Sequence, residues 1–195
     1  MTADNQETIW AALEAQTQRW LEHPKDLEPR EPIRRYSSLW RLWHFPAFGR
    51  QTTWTILTPG RKAPVGAMPL AREVSWDRGL DHRRVFDPVE WPKSGFNAQP
   101  TLGVRDAELP AEHLQGLREA GARLAVPIVV APHTVGVDGE FFGLETYEVS
   151  PFVRVQWWND GPAEWQHFID WVASVRAFVT HRLDSRDESP CPEPR

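Results

Sequence analysis

The chain has 195 residues, a net charge of −5, 41% hydrophobic and 11% aromatic residues, and one cysteine. Its length suits one domain, or at most two small ones, and its aromatic load excludes a disordered chain. Cys191 alone forms neither an intramolecular disulfide nor a Cys-based metal site, which fits a reducing cytoplasm, and the acidic balance argues against a nucleic-acid partner, whose phosphates require a basic footprint.

The N-terminus carries early acids and lacks the apolar core of a secretory signal. The longest apolar run, Leu124 to Ala131, is interrupted by Pro127 and is too short to span a bilayer. The expectation is a cytoplasmic protein with no membrane partner. Arginine far outnumbers lysine, which occurs only at Lys25, Lys62 and Lys93. Two explanations stand side by side: a GC-rich genome, or bidentate recognition of carboxylates, which a guanidinium performs and an ammonium does not.

The spacing of Ile9, Trp10, Leu13, Thr17, Trp20 and Leu21 predicts a helix from Asn5 to Glu22, with Asp4 as its cap, Glu7 in capping-box position and Pro24 as its stop. Arg34 to Phe45 predicts a strand whose alternate residues Tyr36, Ser38, Trp40, Leu42 and His44 share a face. Neither face is purely polar, so this strand is expected to be covered on both sides. Thr52 to Thr58 predicts a second strand, and Val65 to Trp76 a third, weakened in its first half by Pro69. Asp77 to Pro110 is punctuated by prolines and glycines and reads as irregular. Pro110 to Ala120 predicts a short helix with Gly121 as its left-handed stop.

Val126 to Val137, Glu140 to Val149 and Phe152 to Trp158 read as a three-strand meander. Asp138-Gly139 suits a type I′ turn, which sets Val137 opposite Glu140, Val135 opposite Phe142 and His133 opposite Leu144. Pro162 to Leu183 predicts the last helix, with Trp165, Phe168, Ile169, Val172, Val175, Val179 and Leu183 on its apolar face. Residues 185–195 form a charged tail expected to be disordered, which leaves 1–184 as one domain. The whole reads as a single α+β domain, an antiparallel sheet of about five or six strands packed by N- and C-terminal amphipathic helices.

No phosphate loop, dinucleotide-binding glycine motif, nucleophile elbow, zincin motif or paired CxxC occurs, so neither cofactor nor metal is expected. The densest charged cluster makes Asp81 and His82 a candidate acid/base pair, with Arg83 and Arg84 gripping an anion. The alternative is a solvated loop whose charges neutralise one another. Glu145 and Glu148 are a second candidate pair; the alternative is cross-strand pairing with Arg154. Trp91 and Phe96 lie in the irregular segment with no periodicity to bury them, and read either as anchors for a protein partner or as local packing of the loop.

The stretch Asp138-Gly139-Glu140, then Trp157-Trp158-Asn159-Asp160-Gly161-Pro162-Ala163-Glu164-Trp165 and Trp171, resembles a layout of small bacterial proteins, some of them immunity proteins of toxin systems. In that layout a strand, a Trp-rich turn, Gly-Pro and Glu-Trp lead into a closing amphipathic helix. The resemblance covers only this C-terminal part, implies a fold element and carries no catalytic residue. The first expected function is a bacterial protein-binding module, immunity-like, that meets a protein partner through Trp91, Phe96, Arg83 and Arg84. The alternatives are an enzyme of another class with an acid/base pair in a Trp-walled cleft, and a small-ligand or carbohydrate binder that stacks its ligand on Trp faces.

Overall fold

The computed structural model describes residues 3–27, 31–87, 89, 99–128, 138–147 and 153–187. Its strands are β1 (Tyr36–Pro46), β2 (Arg50–Pro59), β3 (Leu70–Asp77), β4 (Leu102–Glu108), β5 (Glu140–Thr146) and β6 (Val153–Trp158). They form one antiparallel sheet in the order β4-β3-β2-β1-β5-β6. The helices are α1 (Ala3–Glu22), α2 (Glu31–Arg34), α3 (Arg78–Phe86), α4 (Ala111–Ala122) and α5 (Gln166–Asp187), the last entered through a 3-10 turn at Ala163–Trp165. This is the α+β single-domain arrangement that the sequence pattern predicts. Among the described residues no helix is long and apolar enough to cross a membrane.

Side chains alternate across a strand, so the register assigns two faces. Trp40, Leu42, Trp54, Ile56, Ala71, Ala107, Leu144 and Trp157 face α4 and α5 and pack with Leu114, Phe168, Val172, Val175, Val179 and Leu183. Phe168, Val172, Val175, Val179 and Leu183 belong to the predicted apolar stripe of α5, and each aliphatic side chain fully removed from water contributes roughly 1.5–3 kcal/mol. On the opposite face Val74 and Trp76 pack with Leu13 and Leu21 of α1. Trp10 stacks on Trp76 with ring centroids 5.8 Å apart. Leu39 to Trp43 of β1 are all buried, so this central strand is covered on both sides, as its mixed faces predict.

Several local readings are corrected. Helix α1 begins at Ala3, which places Asp4 in its first turn, near the positive end of the helix dipole, instead of at the cap. The segment from Asp77 to Pro110, read as irregular, holds α3 and β4. Asp77 caps α3 by accepting a hydrogen bond from the Leu80 amide at 2.9 Å. The short charged helix hid because only Asp81 and Val85 of it are buried, which leaves almost no apolar period to detect. The third strand starts at Leu70, immediately after Pro69. Gly121 lies inside α4, where the Trp171 ring crosses it: a Cβ there would stand 2.5 Å from Trp171 Cζ2. A close approach of two helices, not a left-handed stop, requires the glycine.

The meander is the largest correction. Both edges of β5 are taken, one by β1 and the other by β6, with Gly143 opposite Trp43 on one side and Gln156 on the other. The Asp138-Gly139 hairpin therefore does not form along β5, and residues 126–128 are in no strand. Val135, His133 and Val137 lie outside the described residues. The β5–β6 half of the meander stands. Pairing with β1 places Leu144 and Phe142 beside Leu42 and His44, and this burial on a covered face overrides the local turn signal. At the C-terminus α5 continues to Asp187, past the expected start of the tail, and residues 188–195 lie outside the described residues.

Candidate functional site

A cavity of about 470 Å³ lies between the first half of α5 and the ends of β1, β5 and β6. Ligand pockets span about 300–1,000 Å³, so this one suits a small organic molecule. Leu42, Trp54, Phe142 and Trp157 form its sheet wall. Gln166, Ile169, Val172, Ala173 and Arg176 form its helix wall, at the spacings that put residues on one helix face. The alternation Trp40, Leu42, His44 carries the apolar face of β1 to the mouth, where His44 pairs in register with Phe142.

The turn from β6 into α5 shapes the rim. Asn159 has φ 48° and Gly161 φ 69°. Asparagine tolerates this region, and its short side chain is used locally. The Asn159 amide donates to the Glu140 carbonyl at 2.8 Å, and the Glu140 amide donates to Asn159 Oδ1 at 2.9 Å. A Cβ on Gly161 would lie 2.6 Å from Ile169 Cδ1 and 2.9 Å from Trp157 Cδ1, so only glycine brings the turn against these two cavity walls.

Three charged or polar groups gather at the mouth. His44 Nε2 lies 3.0 Å from Glu140 Oε2. The His44 ring stacks on Phe142 with centroids 4.4 Å apart and planes 3° from parallel. The Arg176 guanidinium sits over the same Phe142 ring at 5.5 Å. Burial pushes the His44 imidazole below its usual value; the hydrogen bond and charge of Glu140 oppose this, and the Arg176 charge adds to it. The ring is therefore neutral at pH 7, donates from Nε2 to the carboxylate, and leaves Nδ1 as an acceptor. Among the described residues no carboxylate stands within ion-pair distance of Arg176. The result is an aromatic slot with an acid, a neutral base and a cation at one end.

The residues singled out in the sequence fall elsewhere. Asp81 is 1% exposed and knits α3 to the sheet: Oδ2 accepts from Trp76 Nε1 at 2.8 Å and the Thr101 amide at 2.6 Å, and Oδ1 from the Thr101 hydroxyl at 2.7 Å and Arg84 at 3.3 Å. His82 is exposed and meets Trp10 edge-on at 5.2 Å, so the two neighbours point apart. Arg83 is exposed, and Arg84 also donates to Thr101 Oγ1 at 2.6 Å. Glu145 is buried on the far face of the sheet, where it accepts from Arg41 at 2.9 and 3.0 Å and from Tyr147 Oη at 2.6 Å, with Arg154 at 3.5 Å. Cross-strand pairing of Glu145 with Arg154 is thus the arrangement found. Burial alone would raise the Glu145 carboxyl; the hydrogen bonds from Tyr147 and Arg41 and the two guanidinium charges hold it below its usual value. Glu148, Trp91 and Phe96 lie outside the described residues.

Sequence reasoning missed His44, Glu140 and Arg176. The available signal was polar residues that continue apolar stripes: His44 after Trp40 and Leu42, and Arg176 one turn beyond Val172. A smaller cavity of about 260 Å³ opens on the far face beside Arg41, Thr55 and Tyr147. Among the described residues no cluster of three or more His, Cys, Asp or Glu is arranged to hold a metal ion. Comparison with known protein families, with curated proteins and with solved structures finds no match for this chain.

Proposed function

We propose that the protein binds a small, largely apolar, planar molecule in the cleft between α5 and the sheet. The observation that carries this reading is the cavity of about 470 Å³ with aromatic walls from Trp54, Phe142 and Trp157 and a few polar groups among its lining. Apolar enclosure with a few convergent polar groups is the usual composition of a ligand pocket. The partner-binding, immunity-like reading draws on Trp91 and Phe96, which lie outside the described residues. The bacterial, cytoplasmic setting proposed from the sequence is compatible with either.

The test uses neutral 1-naphthaleneacetamide, followed by amide and indole NMR shifts. Binding that moves the Trp157 and Trp54 indole signals, and is lost in Ala173→Trp, supports the cleft. No shift at millimolar probe, or shifts confined to other surfaces, overturns it. A second reading makes the cleft an active site, with neutral His44 as a general base oriented by Glu140 across 3.0 Å. Hydrolysis of 1-naphthyl acetate above background, lost in His44→Gln, supports it; equal rates in both proteins remove it.

A further inference from the structure

We propose that the cleft selects an aromatic carboxylate, whose anionic group is held by Arg176 while its ring lies in the slot against Phe142 and Trp157. The proposal rests on the cleft being a ligand site and adds the chemical class of the ligand. Among the described residues, the charged side chains that line the cavity are Glu140, Asp160 and Arg176. Glu140 is engaged by His44 at 3.0 Å and its side chain is 50% exposed. Asp160 is exposed on the rim. Water and a partner therefore serve both acids.

Arg176 differs. It is half-buried on the cavity side of α5, its guanidinium carbon lies 5.5 Å from the centroid of the Phe142 ring, and no carboxylate pairs with it among the described residues. A guanidinium held over a ring by cation–π attraction still has its N–H donors to give. Such a fork matches a carboxylate bidentately, and the low-dielectric slot strengthens the pair relative to water. The chain uses this chemistry repeatedly within its own fold: Arg41 with Glu145, Arg72 with Asp106 and Arg105 with Glu73 are all two-nitrogen, carboxylate pairs. At Arg176 the matching carboxylate comes from the ligand.

Three isosteric probes separate this claim from the cleft itself: 1-naphthaleneacetate, the neutral 1-naphthaleneacetamide and cationic 2-(1-naphthyl)ethylamine, each titrated calorimetrically into the full chain. The expected result is a carboxylate at least about tenfold tighter than the amide, the span of one charge-assisted hydrogen-bonded pair. Arg176→Met keeps the apolar stem over Phe142 and should bring the carboxylate and amide affinities together. Arg176→Lys should recover part of the preference, since it restores charge without the fork. Equal binding of carboxylate and amide in the natural protein overturns the selectivity and leaves the cleft intact. So does a preference that survives in Arg176→Met, or tighter binding of the amine, which would assign recognition to Glu140 and Asp160. Failure of all three probes overturns the cleft reading along with this one.

Discussion

Arginine plays opposite parts under α1 and at the cleft. On the α1 face Arg41 is 4% exposed, gives Nε and Nη2 to the two oxygens of Glu145, and gives Nη1 to the Leu21 carbonyl at 3.1 Å. Arg72, fully buried, holds Asp106 in the same way and adds the carbonyls of Pro24 and Leu27 at 3.3 and 2.7 Å. These side chains satisfy the orphan carbonyls where α1 ends and fasten the following segment to the sheet. On the α5 face Arg176 borders a cavity and has a ring beneath it but, among the described residues, no carboxylate beside it. The same side chain is a structural clamp where its acid is built into the fold and a recognition point where the acid is left to a ligand. The arginine-rich composition thus has at least one explanation beyond the genome's base content.

The comparison breaks most easily at Glu145. Glu145→Ala leaves Arg41 buried with one carbonyl partner, and removing one member of a buried pair costs about 3–5 kcal/mol. Arg176→Met removes a half-buried charge from a helix surface and should change stability by no more than about 0.5 kcal/mol. Urea unfolding of both variants measures the contrast. Equal losses would show that Arg176 is as structural as Arg41, and the distinction between the faces would fall.

A smaller effect sharpens the account of the far face. Trp43 lies across Gly143, flanked by the guanidinium carbons of Arg41 at 4.9 Å and Arg154 at 5.0 Å. A ring that covers a glycine on a neighbouring strand fills the space of the absent side chain. Gly143→Ala drives a Cβ into that ring and should cost about 1–3 kcal/mol, with a change in tryptophan emission as Trp43 is displaced. The matching position in the cleft wall, Ala173, is exposed, and Ala173→Ser should leave stability within about 0.5 kcal/mol.

The far-face network also has a signature in alkali. Burial pushes the Tyr147 phenol up to about 12, the hydrogen bond to and charge of Glu145 push in the same direction, and Arg41 and Arg154 only partly offset them. Since the folded value exceeds the unfolded one of 10.0, the contribution is complete below pH 10 and is lost as pH rises towards 12. Ultraviolet difference titration should show a tyrosine step near pH 12 that disappears in Tyr147→Phe. A Tyr147 step at pH 10 would mean that the phenol does not donate to Glu145.

How much of this was legible follows a physical division. The stripes of α1 and α5 and the alternation in β1 and β2 were readable because burial imposes a period on neighbouring residues. Pairing between distant strands was not. Asp138-Gly139 advertises a hairpin, yet β5 pairs with β1, about a hundred residues earlier, because Leu42 and His44 offer a covered face and the turn alone does not. The candidate site depends on that pairing: His44, Glu140 and Arg176 come from β1, β5 and α5 and converge only once the sheet order is known. Asp81 and His82 looked like a pair because they are adjacent in sequence, but consecutive helix positions do not face each other. One became a buried staple and the other a surface ring.

The smallest expected effect concerns His44, and it tests the cleft face directly. The charged groups set against its ring are Glu140 from β5, which favours the imidazolium, and Arg176 from α5, which opposes it; burial tips the balance towards the neutral ring. With the folded value below the unfolded 6.5, the unfolded chain takes up a proton first as pH falls. The contribution of His44 is therefore complete above pH 6.5 and declines below it, until pH passes the folded value. His44→Gln should flatten the stability profile in that window. An anion seated on Arg176 would neutralise the charge that opposes protonation, so 1-naphthaleneacetate should raise the His44 titration midpoint followed by NMR, whereas the amide should leave it in place. A midpoint that both probes shift equally would place their common ring, not the carboxylate, against His44. An unmoved midpoint with tight carboxylate binding would seat the anion away from Arg176.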